Sequence, residues 1–153
     1  MRRLFDVLRL TFVSPELLAI FAALALSFFA KDVVQFLADL FTNDSKTALA
    51  AAFAPAIPLI GCYKVGTKVL APKGKHKLLL EWPDYPMFKS RIIAACAWCM
   101  LALIATVIGV IYCMMHKGSS LGATLVIAGL FVSATCTVSV HLAQWNFKEI
   151  LKE

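Results

Sequence analysis

The chain has 153 residues, of which 61% are hydrophobic and only 16% charged, and its mean hydropathy is +0.81. Soluble domains carry about 45–50% apolar and about 25% charged residues, so an ordinary soluble domain is excluded and a single membrane domain is expected. The net charge of +6 points to nucleic acid only until the charges are located. They cluster at the ends of apolar runs, which is a pattern of membrane topology.

Residues 1–9 hold Arg2, Arg3 and Arg9, and an apolar run follows to about Ala30. A signal peptide with Ala23-Leu24-Ala25 as its cleavage site is one reading. Glu16 inside the run and the hydrophobicity that continues past Ala25 favour a retained first span, about residues 10–30. Glu16 lies near the basic end, so its carboxylate is expected to reach the interface or pair with an arginine; buried, it would instead be a site candidate. Ala19, Ala23 and Ser27 form a small-xxx-small row suited to helix packing in lipid.

Lys31–Lys46 reads as a loop. Val33, Val34, Leu37, Leu40 and Phe41 in it fall at helical spacing, so a short amphipathic helix on the outer surface is expected. Asn43-Asp44-Ser45 matches a glycosylation sequon, which would carry no weight if the protein is bacterial, as is expected here. The second span, 47–63, is alanine-rich and contains Pro55 and Pro58. Each proline removes a backbone donor, and the freed carbonyls need a neighbouring helix or water. The prolines therefore mark either a hinge beside a wet cavity or a static kink packed on a neighbour.

Residues 64–91 form the longest polar segment, with Lys73, Lys75 and Lys77 at its centre and Trp82, Tyr85 and Phe88 beside them. Aromatics next to lysines suit the headgroup layer; the lysines are also candidate contacts for anionic lipid or a cytoplasmic partner. Pro83 and Pro86 are expected to prevent a regular helix here.

The third span, 92–115, is twenty-four residues without a formal charge, ~36 Å long as a helix and ample for a bilayer. His116–Ser120 is a tight turn, and the fourth span, 121–145, precedes a short amphipathic tail. Gly129, Ser133 and Thr137, continued by His141, form a small or polar row on the fourth span. That row is either a pore-lining face, with Ser133, Thr137 and His141 exposed to solute, or ordinary helix packing. Counting Lys and Arg by side, twelve against three, places both termini and residues 64–91 in the cytoplasm. The expected fold is all-α: four transmembrane helices in the bacterial inner membrane.

Five cysteines are present: Cys62, Cys96, Cys99, Cys113 and Cys136. Cys96-Ala97-Trp98-Cys99 is a C-x-x-C pair, a redox or metal signature in soluble proteins. Its place toward the cytoplasmic end of a span, with no cysteine in the outer loops, opposes disulfide-forming chemistry. Soft-metal transport through Cys96, Cys99 and Met100 is one alternative; apolar filling is the simpler account. Metalloprotease, phosphate-loop and nucleophile-elbow signatures are missing, so no enzyme, cofactor or metal is expected. Direct nucleic-acid binding is not expected either, because the positive-inside pattern explains the lysines.

With four spans, Asp84-Tyr85-Pro86-Met87-Phe88 leading into the third, and Trp145-Asn146 before a charged tail, the chain resembles small phage-exclusion and defence membrane proteins. It resembles the RexB phage-exclusion proteins and, in architecture, the KwaA subunit of the Kiwa defence system. Pore-type colicin immunity proteins share the span count and orientation. The resemblance covers topology and carries over no residue. It implies exclusion, defence or immunity at the inner membrane, by a homo-oligomeric regulated pore or a membrane-disturbance sensor with a cytoplasmic partner. A small-solute transporter is the other class.

Overall fold

The computed structural model describes residues 15–70 and 85–150. Six helices make up this part of the chain: α1 Pro15–Phe29, α2 Lys31–Asn43, α3 Ser45–Phe53, α4 Ala56–Leu70, α5 Tyr85–Met115 and α6 Ser120–Ile150. Three stretches are long and apolar enough to cross a membrane, namely Ser45–Thr67 (α3 with most of α4), Tyr85–Met115 and Ser120–Leu142. A fourth candidate is the α1–α2 pair, which bends by 98° and is either a broken span or a re-entrant loop. The all-helical, multi-pass expectation therefore holds at this level.

The packing is inverted relative to a soluble protein. The largest fully buried side chains are Val34, Val126, Thr106, Pro55 and four cysteines. Phe21, Phe28, Phe36, Ile57, Ile104 and Leu142 are exposed instead. A soluble monomer does not expose so much contiguous apolar surface. In lipid the bulky side chains lose nothing by facing out, and small ones inside let the backbones approach.

Helices α5 and α6 pack antiparallel through such a seam. On α5 Ile92, Ala95, Cys99, Ala102, Thr106, Gly109 and Cys113 are buried at spacings alternately of three and four residues, with Val110 buried beside them. On α6, Gly122, Val126, Gly129, Ser133, Cys136 and Val140 are buried at the same spacing. This is the heptad pattern of left-handed helix pairs. A Cβ on Gly109 would lie 2.7 Å from the Gly122 carbonyl oxygen, and one on Gly129 would lie 2.8 Å from that of Ala102. The two backbones thus touch at two levels.

The α5–α6 turn is closed by Gly118, whose φ of +73° disfavours a side chain. Helix α2 braces this turn. The Gln35 Nε2 donates to the Gly118 carbonyl at 3.1 Å, and the Gly118 N–H donates to the Thr42 hydroxyl at 3.4 Å. The expected amphipathic helix is present, with Val34, Ala38 and Phe41 buried in the bundle.

Two boundaries differ from the sequence expectation. Pro86 does not prevent a helix: α5 begins at Tyr85, so the proline sits in the first turn, where its missing N–H has no partner to lose. Most of the expected tail continues α6, which runs unbroken to Ile150.

Candidate functional site

The prolines break the second span between Phe53 and Ala56. Pro55 is fully buried, and Pro58 lies one turn further on. Pro58 has no N–H for the Ala54 carbonyl, which takes the Ile57 N–H at 3.3 Å instead. The Ala52 carbonyl accepts from the Thr106 hydroxyl of α5 at 3.0 Å. That hydroxyl also lies 2.9 Å from Leu103 O, so its one proton is shared between two carbonyls. The broken span is thus satisfied by a neighbouring helix at this carbonyl, as a packed kink requires.

Beside α1 lies a cleft of about 600 Å³. Pro15 and Glu16 of α1, Phe88, Arg91, Ile92 and Ala95 of α5, and Thr135, Val138, Ser139 and Leu142 of α6 are among its lining residues. The start of α1, the first turns of α5 and the middle turns of α6 meet there. Most of the wall is apolar, and its polar groups are few: a carboxylate, a guanidinium and two hydroxyls. Glu16 is 6% exposed and makes no hydrogen bond or ion pair to another described residue. Arg91 is exposed at the rim. Glu16 is thus buried in the bundle, against the interfacial position expected from the sequence, because α5 and α6 pack over the start of α1.

A second cluster lies in the core next to this cleft. The Sγ atoms of Cys62 on α4 and Cys99 on α5 are 3.8 Å apart. Cys96 lies beside Cys62 and Cys136 of α6 beside Cys99. Cys113 stands apart, donating weakly to the Ser119 carbonyl at 3.6 Å. Among the described residues no group of three or more His, Cys, Asp or Glu side chains is placed to hold a metal ion.

The expected small-residue row of α1 faces inward at Ala19 and Ala23, with the Ser27 hydroxyl returned to the Ala23 carbonyl at 2.8 Å. Gly129 is a close-contact position, as above. The expected polar row of α6 does not stay on one face. Ser133 is buried and donates to the Leu130 carbonyl, whereas Thr137 and His141 are exposed. Steps of four residues advance ~40° around a helix of 3.6 residues per turn, so the row leaves the seam after Ser133 and Cys136 takes its place. Tyr85 is half-buried at the start of α5 against the core. Lys73, Lys75, Lys77 and Trp82 lie outside the described residues, as do residues 10–14 of the expected first span.

Sequence reading missed Gly109, Gly122 and Thr106, although all three follow the three-four spacing of their helices. It also missed that Cys62 and Cys136 join the C-x-x-C pair, because that meeting depends on how three helices pack. Compared with known proteins, the chain matches no family model, no curated protein and no solved structure.

Proposed function

We propose that this is a non-enzymatic, homo-oligomeric protein of the bacterial inner membrane that senses the state of the bilayer by taking a phospholipid headgroup into the cleft beside α1. The observation that carries this reading is Glu16, a buried carboxylate with no described partner in a largely apolar cleft that Arg91 also lines. A carboxylate away from water needs a cation or a proton. An amine-bearing phospholipid supplies an ammonium for Glu16, a phosphate for the Arg91 guanidinium and acyl chains for Ile92, Val138 and Leu142. The charge count of the sequence puts this end at the cytoplasmic face with both termini. Exclusion, defence or immunity is the role that the resemblance in topology supports.

Native mass spectrometry of the full chain, released from membranes in mild detergent, tests the reading. The wild type retains an amine-bearing phospholipid. Arg91→Gln weakens retention roughly tenfold or more, equivalent to at least ~1.4 kcal/mol, and Glu16→Gln loses the preference for an amine headgroup. Equal retention and equal headgroup preference in all three proteins would contradict it.

A regulated pore is the second reading, favoured by Thr137 and His141, an exposed polar pair beside the exposed apolar Val138 and Leu142. In an oligomer this face turns toward a neighbouring copy or a central axis. Replacing both with Leu abolishes conductance in planar bilayers on this reading, and unchanged conductance removes it.

A further inference from the structure

Four of the five cysteines meet at one level of the bundle. They come from three helices: Cys62 from α4, Cys96 and Cys99 from α5, and Cys136 from α6. Cys62, Cys99 and Cys136 are each at most 1% exposed, and Cys96 is half-buried at the edge of the same core. Cysteine fills apolar space well, but filling alone does not require thiols to face thiols. Here each thiol of the group has another beside it, with Cys62 and Cys99 closest at 3.8 Å.

We propose that Cys62 and Cys99 form an intramembrane binding site for a thiophilic monovalent cation of the Cu(I) class, with Cys96 and Cys136 as flanking thiols. The site is separate from the proposed headgroup cleft and does not depend on it.

Softness, ligand number and charge select the ion. Thiolates are soft ligands that favour Cu(I). Such an ion is content with two sulfurs, whereas structural Zn(II) takes four ligands, and no group of three or more His, Cys, Asp or Glu is placed to hold a metal among the described residues. Charge is the third. One S–H bond breaks, its proton leaves for water, and a sulfur–metal bond forms; the second thiol binds through a lone pair. One monovalent cation replaces one proton, so no net charge is placed in a low-dielectric core.

The geometry is close to what is needed. With metal–thiolate bonds near the ~2.3 Å of zinc, two sulfurs in line stand roughly 4.6 Å apart. The present 3.8 Å is therefore widened by a small rotation of the thiols. Cys96, beside Cys62, is half-buried, whereas Cys62, Cys99 and Cys136 are closed off. This gives the ion a thiol to meet on its way in.

The test is transfer of Cu(I) from a coloured Cu(I) chelator to the full-length reduced protein in lipid nanodiscs, without oxygen. The wild type withdraws one ion per chain and releases a proton as it does so. Cys62→Ser and Cys99→Ser each weaken uptake by more than ~100-fold, beyond the 10–100-fold loss typical of an outer-shell partner. Cys113→Ser keeps full uptake, because Cys113 bonds elsewhere in the bundle. Excess Zn(II) leaves the uptake unchanged. Cys62→Ala and Cys99→Ala, checked for unchanged helix content, separate loss of the ligand from a polar group forced into the core. The proposal is overturned by a wild type that leaves Cu(I) on its chelator, by well-folded Cys62 and Cys99 variants that bind as the wild type does, by equal loss in Cys113→Ser, or by displacement with Zn(II).

Discussion

Thr106 is a residue whose single hydroxyl serves a backbone carbonyl at the break in the second span. Buried completely on α5, it donates to Ala52 O beside the proline break. Thr106→Val keeps the volume and removes the donor. It should destabilise the protein by about 1 kcal/mol, read from reversible unfolding in mixed detergent micelles, with Thr106→Ser retaining most of the stability. Gly122 acts by having no side chain at all. A Cβ there would stand 2.6 Å from the Cys113 Sγ and 2.8 Å from the Gly109 carbonyl oxygen. Gly122→Ala should therefore cost about 1–3 kcal/mol by overpacking in the same assay. Adding Cys113→Ala should restore only part of the loss, because the Gly109 backbone remains in the way. An uncoupled pair would show that the helices relax apart at this level.

At the scale of the element, the apolar runs were easy to read and their faces were not. The charge-free run of 92–115 and the turn around Gly118 follow from hydropathy and glycine chemistry. The α5–α6 seam required a choice of period. A row taken in steps of four leads from Gly129 and Ser133 to Thr137. Alternating steps of three and four lead to Cys136, which is the buried position. Only the latter keeps one face turned to a partner along the whole helix. Pro86 misled for a related reason, since its effect depends on whether it falls in a first turn or an interior one. Helix α3 shows a cap legible in its own residues. The Asp44 carboxylate accepts from the Thr47 hydroxyl and from the Lys46 N–H, and these bonds hold its pKa below the ordinary 3.8, the Thr47 bond most of all. A depressed folded pKa means that the cap's stabilisation is present above the ordinary value and is lost as pH falls through the lower one. Protection of the Lys46 and Thr47 amides from hydrogen exchange, taken relative to the intrinsic rate at each pH, should accordingly fall only below about pH 3.8. In Asp44→Asn, which caps without titrating, that pH dependence should vanish; its persistence would assign the effect to another group.

At the scale of the molecule, composition alone marked the chain as a membrane protein, and the structure adds which surfaces are spare. Large apolar side chains face outward, small ones and thiols fill the interior, and α2 folds back to brace the α5–α6 turn. Neither site was legible in one dimension. Glu16 gains its meaning from helices that begin at Tyr85 and end beyond Leu142, and the thiols from a three-helix meeting. Both depend on contacts between residues far apart in the chain, which spacing along one helix does not encode. A bundle that senses its bilayer, as proposed, is closed at rest and is not a standing hole in the membrane. The most direct test is membrane potential, followed by dye fluorescence during controlled expression in bacteria. In unchallenged cells the potential should stay unchanged at full expression. Rapid depolarisation on expression alone, with membranes still impermeable to large dyes, would contradict it.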